Sequence, residues 1–75
     1  MTPAEVRELI DAAPMPPGYR LSVTPQRTFK HRSLWNVRIL DESGERVWGR
    51  AYYSPLHGIV EAQRVAWAMS RETVA

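Results

Sequence analysis

Along residues 34–53 apolar and polar positions alternate at a period of two, the spacing of a strand with one buried and one exposed face. In the first arm Trp35, Val37 and Ile39 alternate with Asn36, Arg38 and Leu40. The second arm offers two sets, Val47/Gly49/Ala51/Tyr53 and Arg46/Trp48/Arg50/Tyr52. Between them, Asp41-Glu42-Ser43-Gly44-Glu45 fits two hairpin registers. A two-residue Ser43-Gly44 turn pairs Ile39 with Trp48 and Trp35 with Tyr52. A three-residue Glu42-Ser43-Gly44 loop, with Gly44 left-handed in a G1 bulge, instead puts Val47, Gly49, Ala51 and Tyr53 behind Trp35, Val37 and Ile39. The second register is preferred. Gly49 and Ala51 are small enough to admit a helix close to the sheet, and the first register buries Arg50, an unpaired charge that is costly to desolvate.

The remaining elements follow from caps and periodicity. Thr2-Pro3-Ala4-Glu5 is a helix start, with Thr2 as N-cap, Pro3 at the first helical position and Glu5 completing a capping box. Val6, Leu9, Ile10 and Ala13 form one apolar stripe. Pro14 ends the helix, and Pro16-Pro17-Gly18 makes a rigid connector. Tyr19, Leu21 and Val23 alternate in a first strand that Pro25 terminates or confines to a sheet edge. Residues 25–33 read as a loop or as the twisted extension of two strands. Ser54-Pro55 starts a last helix that runs to about Glu72, with Leu56, Ile59, Ala62, Ala66 and Met69 buried, widened by Val65 and Val60, and with Trp67 off the stripe. The expectation is an α+β fold, a single small domain over residues 1–75 in the order α-β-β-β-α. Its three-stranded antiparallel sheet has both helices packed on one face, leaving the other open.

Size supports this reading. A chain of 75 residues has room for one core and buries only about 60% of the surface its unfolded form exposes, which disfavours a large enclosed active site. Cysteine is absent, so disulfides and thiolate metal sites are excluded. No apolar run reaches membrane-spanning length and no signal-peptide pattern is present, so a soluble, cytoplasmic protein is expected.

Charge distribution changes the picture more than the net charge of +2. Residues 12–40 contain no Asp or Glu but carry Arg20, Arg27, Lys30, Arg32 and Arg38. Such a field draws in phosphates or an acidic protein surface. All but one of the 10 basic residues are arginine, suited to planar bidentate contacts, although a GC-rich genome biases codons the same way.

Two surfaces follow. In the preferred register the open face shows Arg20, Ser22, Asn36, Arg38, Trp48, Arg50 and Tyr52, a mixture that stacks and neutralises single-stranded nucleic acid or anchors a protein interface. The plainer reading is cross-strand packing on a solvated sheet. The second surface is the basic loop, Arg27, Lys30, His31 and Arg32, read as phosphate contact or as a solvated charge run. His57 and Glu61 at i and i+4 lack a third metal ligand. Ser43, Ser54 and Ser70 have no nucleophile setting, and the glycines form no phosphate loop. No catalytic residue, metal or cofactor is expected.

The pattern resembles the double-stranded-RNA-binding domain. Its points of match are Pro17 and Tyr19 before the first strand, His31 between the first and second strands, the run Trp35-Asn36-Val37-Arg38-Ile39, Gly49 and Ala51 in the third strand, and Ser54 before an Ala-rich helix. The resemblance implies that fold and duplex-RNA binding through a helix, the loop between the first two strands and the start of the last helix. That helix start here, residues 54–59, has no lysine or arginine, so only Lys30, His31 and Arg32 take over a family role. Very small Arg-rich α/β chains also resemble phage- or mobile-element-encoded host-takeover proteins, including anti-CRISPR proteins. The expected function is therefore a non-enzymatic binding module for nucleic acid or a nucleic-acid-handling protein complex. The alternatives are an inhibitor of a larger host protein and a homodimer formed through the open sheet face.

Overall fold

The computed structural model describes residues 2–27 and 33–73. Helix α1, Pro3–Ala12, starts as its cap demands. The Glu5 amide donates to Thr2 Oγ1 and the Thr2 amide donates to Glu5 Oε1, each at 3.3 Å. These reciprocal bonds satisfy donors that the first helical turn leaves open. Val6 is the buried residue of the stripe, with Leu9, Ile10 and Ala13 half-buried beside it.

Strands β1 (Arg20–Arg27), β2 (Ser33–Leu40) and β3 (Arg46–Tyr52) form one antiparallel sheet in the order β1-β2-β3. Pro25 lies within β1, opposite Trp35. Because β1 is an edge strand, the missing amide donor is tolerated there. The connector reaches β1 through Gly18, whose φ of +87° is a left-handed conformation that a side chain would strain.

The hairpin combines the two registers weighed from the sequence. Gly44 has φ +88°, the Gly44 amide donates to the Asp41 carbonyl at 3.0 Å, and the Asp41 amide donates to the Glu45 carbonyl at 2.9 Å. This is the expected three-residue loop ending in a left-handed glycine. Leu40 then pairs with Arg46, but the next pair is Ile39 with Trp48. Val47 is an extra residue, a second bulge that shifts the register by one. A one-residue slip exchanges the two faces of a strand. Trp48, Arg50 and Tyr52 therefore share a side with Ile39, Val37 and Trp35, and the expectation that they lie on the open face is overturned.

Helix α2, Pro55–Thr73, is capped by Ser54, whose Oγ accepts from the His57 amide at 3.4 Å. Ile59, Ala62 and Ala66 are buried, and the last two join Val37, Ile39 and Tyr52 in the core. Gly58 explains how closely the helix lies on the sheet. A Cβ built there would come 2.5 Å from Val37 Cγ2 and 2.7 Å from Tyr52 Cδ2. Close approach thus depends on a glycine in the helix, whereas Gly49 and Ala51 lie on the sheet's other face. With Gly58 directed inward, Leu56 and Val60 rotate out and are 48% and 50% exposed, contrary to the expected stripe. Helix α1 packs against β1 on the same side of the sheet, where Pro3, Val6, Arg7 and Ile10 line one cleft with Val23, Pro25 and Trp35. The helices are tied together where Gln63 Nε2 and Trp67 Nε1 both donate to the Pro14 carbonyl at 3.2 Å. Both helices cover one face, as expected from the order of elements.

Candidate functional site

With both helices on one side, the other face of the sheet is left uncovered by either helix. The pairing sets its rows. Arg20, Leu40 and Arg46 lie across the three strands in one row, Ser22, Arg38 and Gly49 in the next, and Thr24, Asn36 and Ala51 in a third. Three of these residues are arginines. Arg20 and Arg46 are exposed and Arg38 is half-buried.

Gly49 gives this cluster its shape. The position that a Cβ on Gly49 would occupy lies 3.2 Å from Arg46 Cδ, 3.8 Å from Arg46 Nη1 and 3.5 Å from Arg38 Cγ. The two arginine side chains lie over bare backbone, where any larger residue would push them apart. Arg20 extends toward the hairpin loop, its Nη2 3.9 Å from the Cβ position of Gly44. Among the described residues no carboxylate forms an ion pair with any of the three. Such free guanidinium groups keep both their charge and their planar donor set for a ligand.

The acidic residues nearby are otherwise engaged. The Asp41 carboxylate accepts from the Ser43 hydroxyl at 2.6 Å and from the Ser43 and Glu45 amides at 2.9 Å each. These bonds, the Ser43 hydroxyl first and the Glu45 amide next, hold the Asp41 carboxyl below its ordinary value of 3.8. The Ser43–Asp41 contact is thus part of the turn. Glu42 leans toward the connector, its Oε1 3.1 Å from the Cβ position of Gly18. A cavity of ≈ 520 Å³ opens there, lined by Tyr19, Glu42 and Ser70 among others. Among the described residues it brings no imidazole to a serine.

The residues singled out from the sequence fall into three groups. Arg20 and Arg38 lie on the open face as expected. Trp48, Arg50 and Tyr52 do not: Tyr52 belongs to the core, Trp48 packs against it, and Arg50 is exposed. The Trp48 and Tyr52 rings lean toward one another with centroids 6.5 Å apart. Arg50 sits between them in sequence on an edge strand, so its side chain escapes to solvent without burying its charge. The cost that argued against this register is therefore avoided. Lys30, His31 and Arg32 lie outside the described residues, and Arg27 closes β1 opposite Ser33.

Arg46 was missed by sequence reasoning. The preferred register already puts its set on the open side, and the bulge at Val47 keeps Arg46 there while turning Trp48 inward. His57 stands edge-on to the Tyr52 ring at 5.2 Å. Among the described residues no group of three or more His, Cys, Asp or Glu side chains could hold a metal ion, and no helix is long and apolar enough to cross a membrane. Set against protein-family models, curated proteins and solved structures, the chain matches none of them.

Proposed function

We propose that the chain is a non-enzymatic binding module that engages nucleic acid, or a complex that handles it, through the open sheet face together with the basic stretch of sequence at residues 27–32. The observation that carries this reading is the group Arg20, Arg38 and Arg46 on one uncovered face without a carboxylate partner among the described residues. Local positive potential of this kind attracts polyanions and speeds their association. The order α-β-β-β-α is compatible with a fold like the double-stranded-RNA-binding domain. Duplex gripping by the last helix is not part of the proposal, because the first turn of α2 carries no cation and its Gly58 is packed on Val37 and Tyr52.

The experiment is a salt series of binding to single-stranded and duplex DNA and RNA. The expected result is a Kd on the order of 10⁻⁴ to 10⁻⁶ M at physiological salt, with log K falling linearly as log salt rises. Absence of binding at low salt overturns the proposal.

A second reading, a protein-directed inhibitor of the phage or mobile-element kind, is favoured by a different feature. Leu56, Val60 and Trp67 are 48%, 50% and 40% exposed along the outer side of α2, next to Arg64. Trp and Arg are the residues that most often anchor protein interfaces. In that case partner binding would be lost on changing Val60 or Trp67 and would be unaffected by Arg38→Gln.

A further inference from the structure

We infer that Arg20, Arg38 and Arg46 together form a contact for the phosphodiester backbone of nucleic acid, one that reads charge and does not read bases. This inference rests on the binding reading above and adds both a ligand chemistry and a mode.

The inward turn of the aromatic residues is the first argument. Base recognition on an open sheet uses aromatic rings as stacking platforms. Here Trp48 and Tyr52 face the helices, and Trp35 is buried on that same side. The strand positions left on the open face, beside the arginines and Leu34 and Leu40, are Ser22, Thr24, Gln26, Asn36, Gly49 and Ala51. None of these is aromatic.

The second argument concerns what kind of polyanion fits. An acidic protein partner would need a desolvated apolar or aromatic centre to gain affinity, because rim charges alone contribute little. Among the described strand positions of this face the large apolar side chains are half-buried Leu34 and Leu40, with the exposed Tyr53 just beyond the end of β3. Nucleic acid needs no such centre, since neutralising its phosphates releases condensed counterions and that release drives binding. Arg20 and Arg46 stand at the two ends of one row, about 10 Å apart by two strand spacings, with Arg38 in the neighbouring row. A chain of phosphates can engage all three.

The third argument is the floor at Gly49. Its missing side chain lets the stems of Arg38 and Arg46 lie over one patch of backbone, so both arginines are rooted at one point of the open face.

The test is fluorescence anisotropy over a salt series, using a mixed-sequence DNA duplex and homopolymer single strands, with circular dichroism to verify the fold of each variant. The expected results are little preference among homopolymers and a duplex salt slope that falls in magnitude by about 0.9 for Arg38→Gln and again for Arg46→Gln. Replacing all three arginines with glutamine should remove about 2.7 from the slope. Arg38→Lys, which keeps the charge, should keep the slope, and Gly49→Ala should weaken binding by parting Arg38 from Arg46. If the parent binds but the triple variant retains the full slope, the inference falls while the nucleic-acid reading stands. A parent that strongly prefers one homopolymer overturns the base-independent mode in the same way. If the parent binds no nucleic acid at low salt, both readings fail and an acidic protein surface takes their place.

Discussion

Gly58 of α2 lies directly over Val37 of β2, so close that a single methyl group on the glycine would fall 2.5 Å from Val37 Cγ2. Val37 has no exposed surface and the backbone of β2 cannot yield easily between two neighbouring strands. Replacing Gly58 with alanine would ordinarily favour a helix by about 1 kcal/mol. Here overpacking outweighs that gain, and Gly58→Ala is expected to destabilise the fold by about 1–3 kcal/mol, read from urea midpoints. An increase in stability would show that α2 does not sit so low on the sheet.

Trp48 tests the register. It packs against the core from the helix side, so Trp48→Ala should destabilise by about 1.5–3 kcal/mol, less than a fully buried tryptophan would cost. The change should leave the salt slope of any nucleic-acid complex at its parent value. A variant with unaltered stability would place Trp48 on the open face and restore the regular hairpin.

Tyr52 carries a different signature. Its ring is buried, with Trp48 and His57 beside it, and its buried hydroxyl has no hydrogen-bond partner among the described residues. An unsatisfied buried hydroxyl lowers stability, so Tyr52→Phe should be neutral or stabilising by up to about 1 kcal/mol. Thermal or urea unfolding decides the matter. A loss of more than about 1 kcal/mol would mean that the hydroxyl does have a partner.

The hairpin turn should register acid. The Asp41 carboxyl titrates below its ordinary 3.8 in the folded chain, chiefly because the Ser43 hydroxyl and the Glu45 amide bond its charged form. A depressed folded-state pKa means stability that is fully present above the unfolded value and lost as pH falls through the folded one. The stability difference between the parent and Asp41→Asn should therefore be largest near neutrality and shrink on acidification through that window. A difference that stays constant with pH would show that the charge of Asp41 does not support the turn.

Much of the fold is legible in the sequence because it is written locally. The capping box at Thr2 and Glu5, the proline connector, the Ser54 cap and the left-handed Gly44 each require only neighbouring residues, and each is where the sequence puts it. The bulge at Val47 has no such marker. Valine is an ordinary strand residue, without the glycine or proline that often signals an irregularity. What favours the bulge is non-local: Trp48 and Tyr52 bring far more apolar surface to the helices than Gly49 and Ala51 can. The charge of Arg50 argues against that choice from sequence alone, yet an edge strand lets it out to solvent. Gly58 was the available clue to close helix packing, since a glycine inside a helix costs stability unless something requires it.

The bulge also makes the hairpin a parity device. Loop and ladder disagree by one residue, and Val47 absorbs the difference. Deleting Val47 would therefore regularise the ladder and still leave Trp48 and Tyr52 toward the helices. Adding or removing one residue between Ile39 and Trp48 without such an absorber would exchange the arginine-bearing and aromatic-bearing sides of β3 together. Val47 aside, a single-residue insertion or deletion in this stretch acts as an inversion of the surface, and the length of the hairpin decides which side chains each face carries as much as its composition does.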